Sequence, residues 1–136
     1  DLVIQEKTGQ LLREIIAERG REGFLLLEEE VGAELSMNNT VLAPGGSICY
    51  GKRAMEHLRE ISLVIFLDVP FSEVDKRIGD PVKRGVAIPD GFTLKDLYNE
   101  RKALYLQYAH EILNEEGLNP EECVEALVRI AEKHKQ

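Results

Sequence analysis

The chain has 136 residues, with 17 Lys and Arg against 25 Asp and Glu, so its formal net charge is −8. This length predicts one domain spanning residues 1–136, and 43% hydrophobic with 31% charged residues is typical of a folded globular protein. An acidic chain is poorly suited to binding a nucleic-acid backbone, and no apolar run approaches the roughly 20 residues of a membrane span. We therefore expect neither a nucleic-acid partner nor a membrane partner.

The cysteines and histidines give no sign of a metal centre. Cys49 and Cys123 are far apart, and the three histidines are scattered, so neither a disulfide framework nor a ligand cluster is predicted. The first residues contain no secretory signal, and together these features predict a reducing cytoplasm. Cys49 lies beside a glycine loop without a neighbouring histidine, which favours a buried thiol over a nucleophile.

Helical periodicity dominates the first third of the chain. Apolar residues at helical spacing predict one or two helices over residues 2–18, with a break at Gly9 and a stop at Arg19-Gly20. A further helix is predicted over residues 23–35, with the glutamates at 28–30 on a solvent-facing side. After an Asn-Asn turn, Thr40–Ala43 is predicted to be a short buried strand.

The rest of the chain alternates strand and helix signals. The predicted elements are a helix over 52–60, a strand over 62–69, a short helix capped by Ser72, a mobile loop over 80–92, a long helix from Thr93 to about Ala109 with Asp96 completing a capping box, a strand over 111–114, and a last helix from Asn119-Pro120 to about Lys133. The uninterrupted apolar run at 62–69 predicts burial on both faces, as in a parallel sheet. The fold class is therefore α/β, with helices on both faces of the sheet. Ligands in such folds bind at the carboxyl ends of strands, which draws attention to the loops after Ala43 and Val69.

Two short motifs suggest phosphate or metal chemistry, and each has a plainer alternative. Residues 46–52 match the first seven positions of a phosphate-binding loop, but Arg53 stands where Ser or Thr would hold magnesium. Asp68 ends a hydrophobic strand, as a magnesium-binding carboxylate would, although a turn Asp two residues before Pro70 is the favoured interpretation.

Arginines and aromatic residues mark the second half of the chain. Arg77, Arg84 and Arg101 flank one predicted strand edge and together could clamp a polyanion through charge-assisted hydrogen bonds. The aromatic residues of the long helix, Tyr98, Tyr105 and Tyr108, recur at helical spacing, which favours packing.

Taken in order, these segments resemble the shikimate kinase family over nearly the whole chain. The matching pieces are Asp1-x-x-Ile4 with Gly9, Gly23-Phe24 followed by Glu28, the loop Val41–Ser47, the strand Val64–Pro70, Arg84-Gly85, and Glu100-Arg101-x-x-Leu104-Tyr105-x-x-Tyr108-Ala109. The last of these is the most specific, because it is similar to the Arg-x-Pro-Leu-Tyr helix of the family.

The resemblance implies a three-layer P-loop kinase fold around a five-stranded parallel sheet, with the first strand and the P-loop missing from the chain as given. It implies phosphoryl transfer from ATP, with Mg²⁺, to a small hydroxylated acid, as in aromatic amino acid biosynthesis. The implied partners are a nucleotide and a small-molecule substrate, and the implied assembly is a monomer or weak dimer. The 80–92 loop would be the lid that closes over the site.

The resemblance also implies a role for each matching residue. Asp1 would hold the acceptor hydroxyl and assist its deprotonation, while Gly45 and Gly46 would bring backbone amides to the substrate. Arg101 would bind the anionic group of the substrate. By the same resemblance, Arg84 would close with the lid onto the transferring phosphate as a catalytic residue, and Arg77 would lie against the adenine.

Departures from the family pattern raise a question about the acceptor. Leu25 stands where the family places an arginine that grips the carboxylate of shikimate, and leucine cannot make that bidentate contact. Pro44, Ser47 and Gly85 also depart from the family residues. Our hypothesis is that shikimate is not the preferred acceptor. The alternative to a kinase is a non-catalytic, kinase-like module that binds a small molecule or a protein.

Overall fold

The computed structural model describes residues 1–86 and 88–135, which form helices and a short parallel sheet. The elements in chain order are α1 (Leu2–Thr8), α2 (Leu12–Ala33), a 3₁₀ turn (Gly46–Tyr50), α3 (Lys52–Ile61), β1 (Ile65–Asp68), α4 (Phe71–Ile78), α5 (Leu94–Tyr108), β2 (Glu111–Asn114) and α6 (Pro120–Lys133). No helix within the described residues is both long and apolar enough to cross a bilayer.

The sheet consists of β1 and β2, which pair in parallel with Ile65 opposite Glu111 and Asp68 opposite Asn114. The predicted α/β class, the parallel pairing and both of these strands are confirmed, although β1 is shorter than predicted. Burial of β1 on both faces is wrong, because Leu67 is 46% exposed. The three-layer, five-stranded arrangement remains an expectation.

The predicted buried strand at Thr40–Ala43 is wrong. These residues have no regular secondary structure, and the side chain of Val41 is 95% exposed. A strand forms only where a neighbouring strand accepts and donates its backbone hydrogen bonds. Among the described residues, the backbone of 40–43 is bonded to neither β1 nor β2.

Glycine sets the breaks in the first two helices. Gly9 ends α1 in the left-handed conformation, with φ of 70°, as its position predicts. Gly20 interrupts α2 with the same φ and an extended ψ, but the helix resumes at the next residue. The predicted stop is therefore a break within one long element, after which Arg21 begins a new helical segment.

Local capping signals are confirmed at two helices and wrong at one. Thr93 and Asp96 form a reciprocal capping box at the start of α5, and Asn119 and Glu122 form another at α6. Ser72 was predicted to cap the short helix, but α4 already begins at Phe71 and has no side-chain cap. A residue inside the first turn cannot act as its N-cap.

The core has two clusters, and the 3₁₀ turn lies between the helices that form them. One cluster joins α1 to α2 through Ile4, Ile15, Phe24 and Val31, and the other joins α3 to α5 through Met55, Leu58 and Tyr108. The 3₁₀ turn contacts α2, α3 and α5. The segment around Gly45 and Gly46 is thus held against all three helices.

Candidate active site

Carboxylates approach the backbone on one side of the Gly45-Gly46 segment. A Cβ atom at Gly45 would lie 3.1 Å from Oδ1 of Asp1 and 3.7 Å from Oε2 of Glu28. The absence of a side chain at Gly45 therefore lets the Asp1 carboxylate approach the main chain closely, with the Glu28 carboxylate beside it. Two acceptor groups in one place can bind a hydroxyl and receive its proton.

A guanidinium and a phenol approach the next residue. A Cβ atom at Gly46 would lie 2.9 Å from Nη1 of Arg101 and 2.9 Å from Oη of Tyr105. The Tyr105 hydroxyl donates a 2.7 Å hydrogen bond to the carbonyl of Gly46. The structure thus brings together Asp1, Gly45, Gly46 and Arg101, with carboxylates at the first glycine and a positive charge at the second.

Glu28 is the buried acid of this site. It is only 4% exposed, and the Ser47 hydroxyl donates a 2.6 Å hydrogen bond to its Oε1. Burial raises the pKa of Glu28 above its ordinary value, and the hydrogen bond from Ser47 opposes that rise. The prediction of a solvent-facing glutamate run is therefore wrong for Glu28, which turns inward toward Ser47, whereas Glu30 is exposed.

Two protonated groups line the same turn. Cys49 is 1% exposed, its thiol donates to the Gly46 carbonyl at 3.3 Å, and burial raises its pKa to about 11. Burial likewise raises the pKa of Tyr105 to about 12. Cys49 is thus a neutral buried thiol near pH 7, as the sequence favoured, and Tyr105 remains a hydrogen-bond donor. The assignment of Tyr105 to packing alone missed its contact with the glycine segment.

Two arginines, Arg101 and Arg21, lie beside the ring of Tyr50. The guanidinium carbon of Arg101 is 5.6 Å from the ring centre of Tyr50, and that of Arg21 is 5.0 Å from the same ring. Nε of Arg101 and Oη of Tyr50 are buried without a hydrogen-bond partner among the described residues. Sequence reasoning singled out neither Arg21 nor Tyr50 for this role, because nothing local joins positions 21, 50 and 101.

An apolar cavity of about 240 Å³ opens beside β1 and includes Arg101 and Tyr105 in its walls. Other lining residues come from β1, α4, α5 and the segment after α4, including Phe66, Ile78, Val86 and Leu97. The Phe66 and Tyr105 rings are 5.2 Å apart between centres. The cavity therefore lies at the carboxyl end of β1, where α/β folds bind ligands, and it shares Arg101 and Tyr105 with the glycine segment.

Arg77 and Arg84 form a separate pair on the surface. Nη2 of Arg84 donates to the Arg77 carbonyl at 3.0 Å, and Nε of Arg77 binds Glu73 at 3.0 Å. Both arginines are exposed, and backbone turns shape the chain from Asp80 to Val86. Residue 87 of the predicted 80–92 loop lies outside the described residues. The structure thus joins two of the three predicted arginines and places Arg101 at the glycine segment.

Neither short motif has the geometry of a phosphate or metal site. In residues 46–52, the amides of Ile48 and Gly51 donate within the 3₁₀ turn, and Lys52 pairs with Glu56 on the surface. Asp68 pairs with Lys102 at 3.4 Å. No group of three or more metal-ligating side chains exists within the described residues.

Comparison with known proteins agrees with the pattern of residues. The sequence model of the family described as shikimate kinase matches residues 1–132. Shikimate kinase 2 of Enterobacter sp. (strain 638) is 30% identical over 132 residues, covering 92% of this chain and 74% of that protein. The shikimate kinase of Clostridium botulinum is 32% identical over 133 residues, covering 96% and 78%. The shikimate kinase of Synechococcus elongatus is 30% identical, covering 96% and 70%. With a family match over nearly its whole length, this chain belongs to the shikimate kinase family.

Proposed function

We propose that the protein transfers a phosphoryl group from ATP to a hydroxyl of a small hydroxylated acid. The observation that carries this proposal is the arrangement of charge along the Gly45-Gly46 segment. Carboxylates of Asp1 and Glu28 lie at one glycine, and the guanidinium of Arg101 lies at the next. A molecule with a hydroxyl at one end and a carboxylate at the other would match both groups, and membership of the family supports the reaction class.

Each group has a distinct task in this proposal. Asp1 accepts the proton of the acceptor hydroxyl as that oxygen attacks the transferring phosphorus, while the amides of Gly45 and Gly46 hold the acceptor. Arg101 binds its anionic group. Phosphoryl transfer depends mainly on positioning and on neutralising charge, so these fixed groups supply most of what the acceptor requires.

We assign nucleotide binding to the 80–92 segment and α4. Arg84 would neutralise charge on the transferring phosphate when that segment closes as a lid, and Arg77 would lie against the adenine. Closure would exclude water, which competes with the acceptor hydroxyl. The Mg²⁺ that the family implies would be held largely by the phosphates of the nucleotide, and each step assigned here is one that the named side chains perform.

The acceptor is proposed to differ from shikimate. Leu25 lies against the cluster of Ile4 and Phe24, and its side chain has no group that could bind a carboxylate. Loss of one charge-assisted hydrogen bond lowers affinity by about 10- to 100-fold. We therefore expect weak turnover of shikimate and improved turnover by the Leu25→Arg variant. Efficient use of shikimate by the unmodified protein would contradict this choice of acceptor.

The test measures ADP release by the protein as its gene encodes it, with ATP and a set of hydroxylated carboxylic acids that includes shikimate. Acceptor-dependent ADP release is expected, and Arg101→Gln should abolish most of it. Arg13→Gln is the matched control, because it removes the same charge from an exposed position on α2. An acceptor that binds through Arg101 without any ADP release would contradict the kinase and support a binding module.

A further inference from the structure

Tyr50 is flanked by two guanidiniums, neither of which forms an ion pair among the described residues. Arg21 and Arg101 each lie within 6 Å of the centre of its ring. The ion pairs formed among the described residues include neither arginine. Like charges that share one neighbour repel each other, and the repulsion is stronger away from bulk water. An anion bound beside both would relieve it.

Unsatisfied polar atoms mark the same place. Nε of Arg101 and Oη of Tyr50 are both buried and have no hydrogen-bond partner among the described residues. Buried polar atoms are nearly always paired, so an unpaired set calls for a missing partner such as a ligand or an ordered water. The positive charge and the unpaired atoms thus both point to a polar, anionic ligand at this position.

A glycine break in α2 directly precedes Arg21. Gly20 leaves the helical conformation, and Arg21 starts the segment that continues through Leu25. Residues four apart lie on the same helix face one turn from each other. Arg21 is half-buried against Tyr50, whereas Leu25 packs against the core cluster of Ile4.

We propose that Arg21 acts with Arg101 to bind the anionic group of the acceptor, one helical turn away from the position that Leu25 occupies. This inference rests on the proposed function, because it assigns a substrate-binding role within the same site. Guanidinium groups bind carboxylates in planar, bidentate pairs, so two of them beside one ring select a carboxylate over a neutral group. Arg21 is thus a specificity-determining residue, and the acceptor is an acid whose carboxylate lies toward Tyr50.

The test compares Arg21→Gln with the control Arg13→Gln, using shikimate and its neutral methyl ester as probes. Calorimetry should give a dissociation constant for shikimate about tenfold higher in Arg21→Gln, with the weaker binding of the ester unchanged. The KM for ATP should stay the same in both variants. Arg21→Lys should recover part of the loss, because it restores the charge without the planar fork.

The outcomes separate this inference from the proposed function. Equal effects of Arg21→Gln and Arg13→Gln on shikimate binding, with ADP release intact, would overturn the role of Arg21 and leave the kinase standing. Arg21-dependent binding of shikimate over its ester, with no ADP release for any acid, would support the role of Arg21 and overturn the kinase. Failure of the unmodified protein to prefer the acid over the ester would also overturn the role of Arg21.

Discussion

The glycine segment and the Arg77–Arg84 pair are built in opposite ways. At the segment, Glu28 meets Ser47 and Tyr105 meets Gly46, so partners come from helices far apart in the chain. Arg84 instead binds a carbonyl seven residues away, through an exposed side chain. Exposed pairs contribute little energy and exchange easily with water or a ligand. The fold therefore fixes the proposed acceptor side in advance and leaves the proposed phosphate side free to rearrange.

The largest effect is expected from Gly46→Ala in the glycine segment. The added Cβ would collide with the tips of Arg101 and Tyr105, which are flexible ends of long side chains, so they shift and the fold survives. A displacement of about 1 Å at a reacting site costs about 100-fold in rate, so kcat/KM for the acceptor should fall by that order. Thermal unfolding should change little.

Gly32→Ala is the matched control for that substitution. Its Cβ would lie 2.8 Å from Cβ of Ala54, at the contact between α2 and α3. Overpacking of this kind costs about 1–3 kcal/mol of stability. If Gly46→Ala lowers stability as much as Gly32→Ala does, the glycine segment is a packing feature and the comparison fails.

The next effect concerns the surface arginine. Arg84→Gln should lower kcat by about 10- to 100-fold, the cost of one charge-assisted hydrogen bond made during transfer. The dissociation constant of the acceptor should not change, because Arg84 contacts Arg77 rather than the glycine segment. Steady-state kinetics with calorimetry checks both values. A weakened acceptor affinity would show that the two regions are not independent.

A smaller effect is expected from removing the hydroxyl of Tyr105. Tyr105→Phe removes the hydrogen bond to the Gly46 carbonyl, and Tyr98→Phe removes a comparable 2.6 Å bond to the Val69 carbonyl. Each should lower the free energy of unfolding by about 0.5–1.5 kcal/mol. Only Tyr105→Phe should also raise the KM of the acceptor. Equal KM values in the two variants would remove Tyr105 from the site.

The smallest predicted effect is a change in how the free energy of unfolding varies with pH. Burial raises the pKa of Glu28, so the folded state holds that proton more tightly than the unfolded state does. Its contribution to stability is therefore complete below the ordinary pKa of 4.5 and is lost as the pH rises through the raised value. Urea unfolding between pH 4.5 and 7 should show Glu28→Gln gaining stability relative to the unmodified protein. Parallel curves would mean that Glu28 is not buried in solution.

Sequence alone predicted two helix caps that depend only on nearby residues. The caps at Thr93 and Asn119 depend on residues three positions away, and both are confirmed. Thr40–Ala43 failed because a strand depends on its neighbour, not only on its own residues. Glu28 failed because burial depends on Ser47, which is 19 positions away.

The residues of the candidate site also divide into those that the sequence pointed to and those that only the structure shows. The resemblance pointed to Asp1, Gly45, Gly46 and Arg101, and the structure brings these four residues together. Their roles remain proposals. Arg21 and Tyr50 could not be found from sequence, because they are 29 positions apart and no local pattern joins them.

The rate at which the buried thiol of Cys49 reacts can report the opening of the 3₁₀ turn. A disulfide reagent reacts with the thiolate, and at Cys49 both solvent access and ionisation are suppressed, whereas Cys123 is half-exposed. Labelling of Cys49 can proceed only as fast as the 3₁₀ turn opens, so its rate reports that opening directly. Any ligand that holds the turn closed would slow the labelling of Cys49 and leave Cys123 as the reference within the same chain.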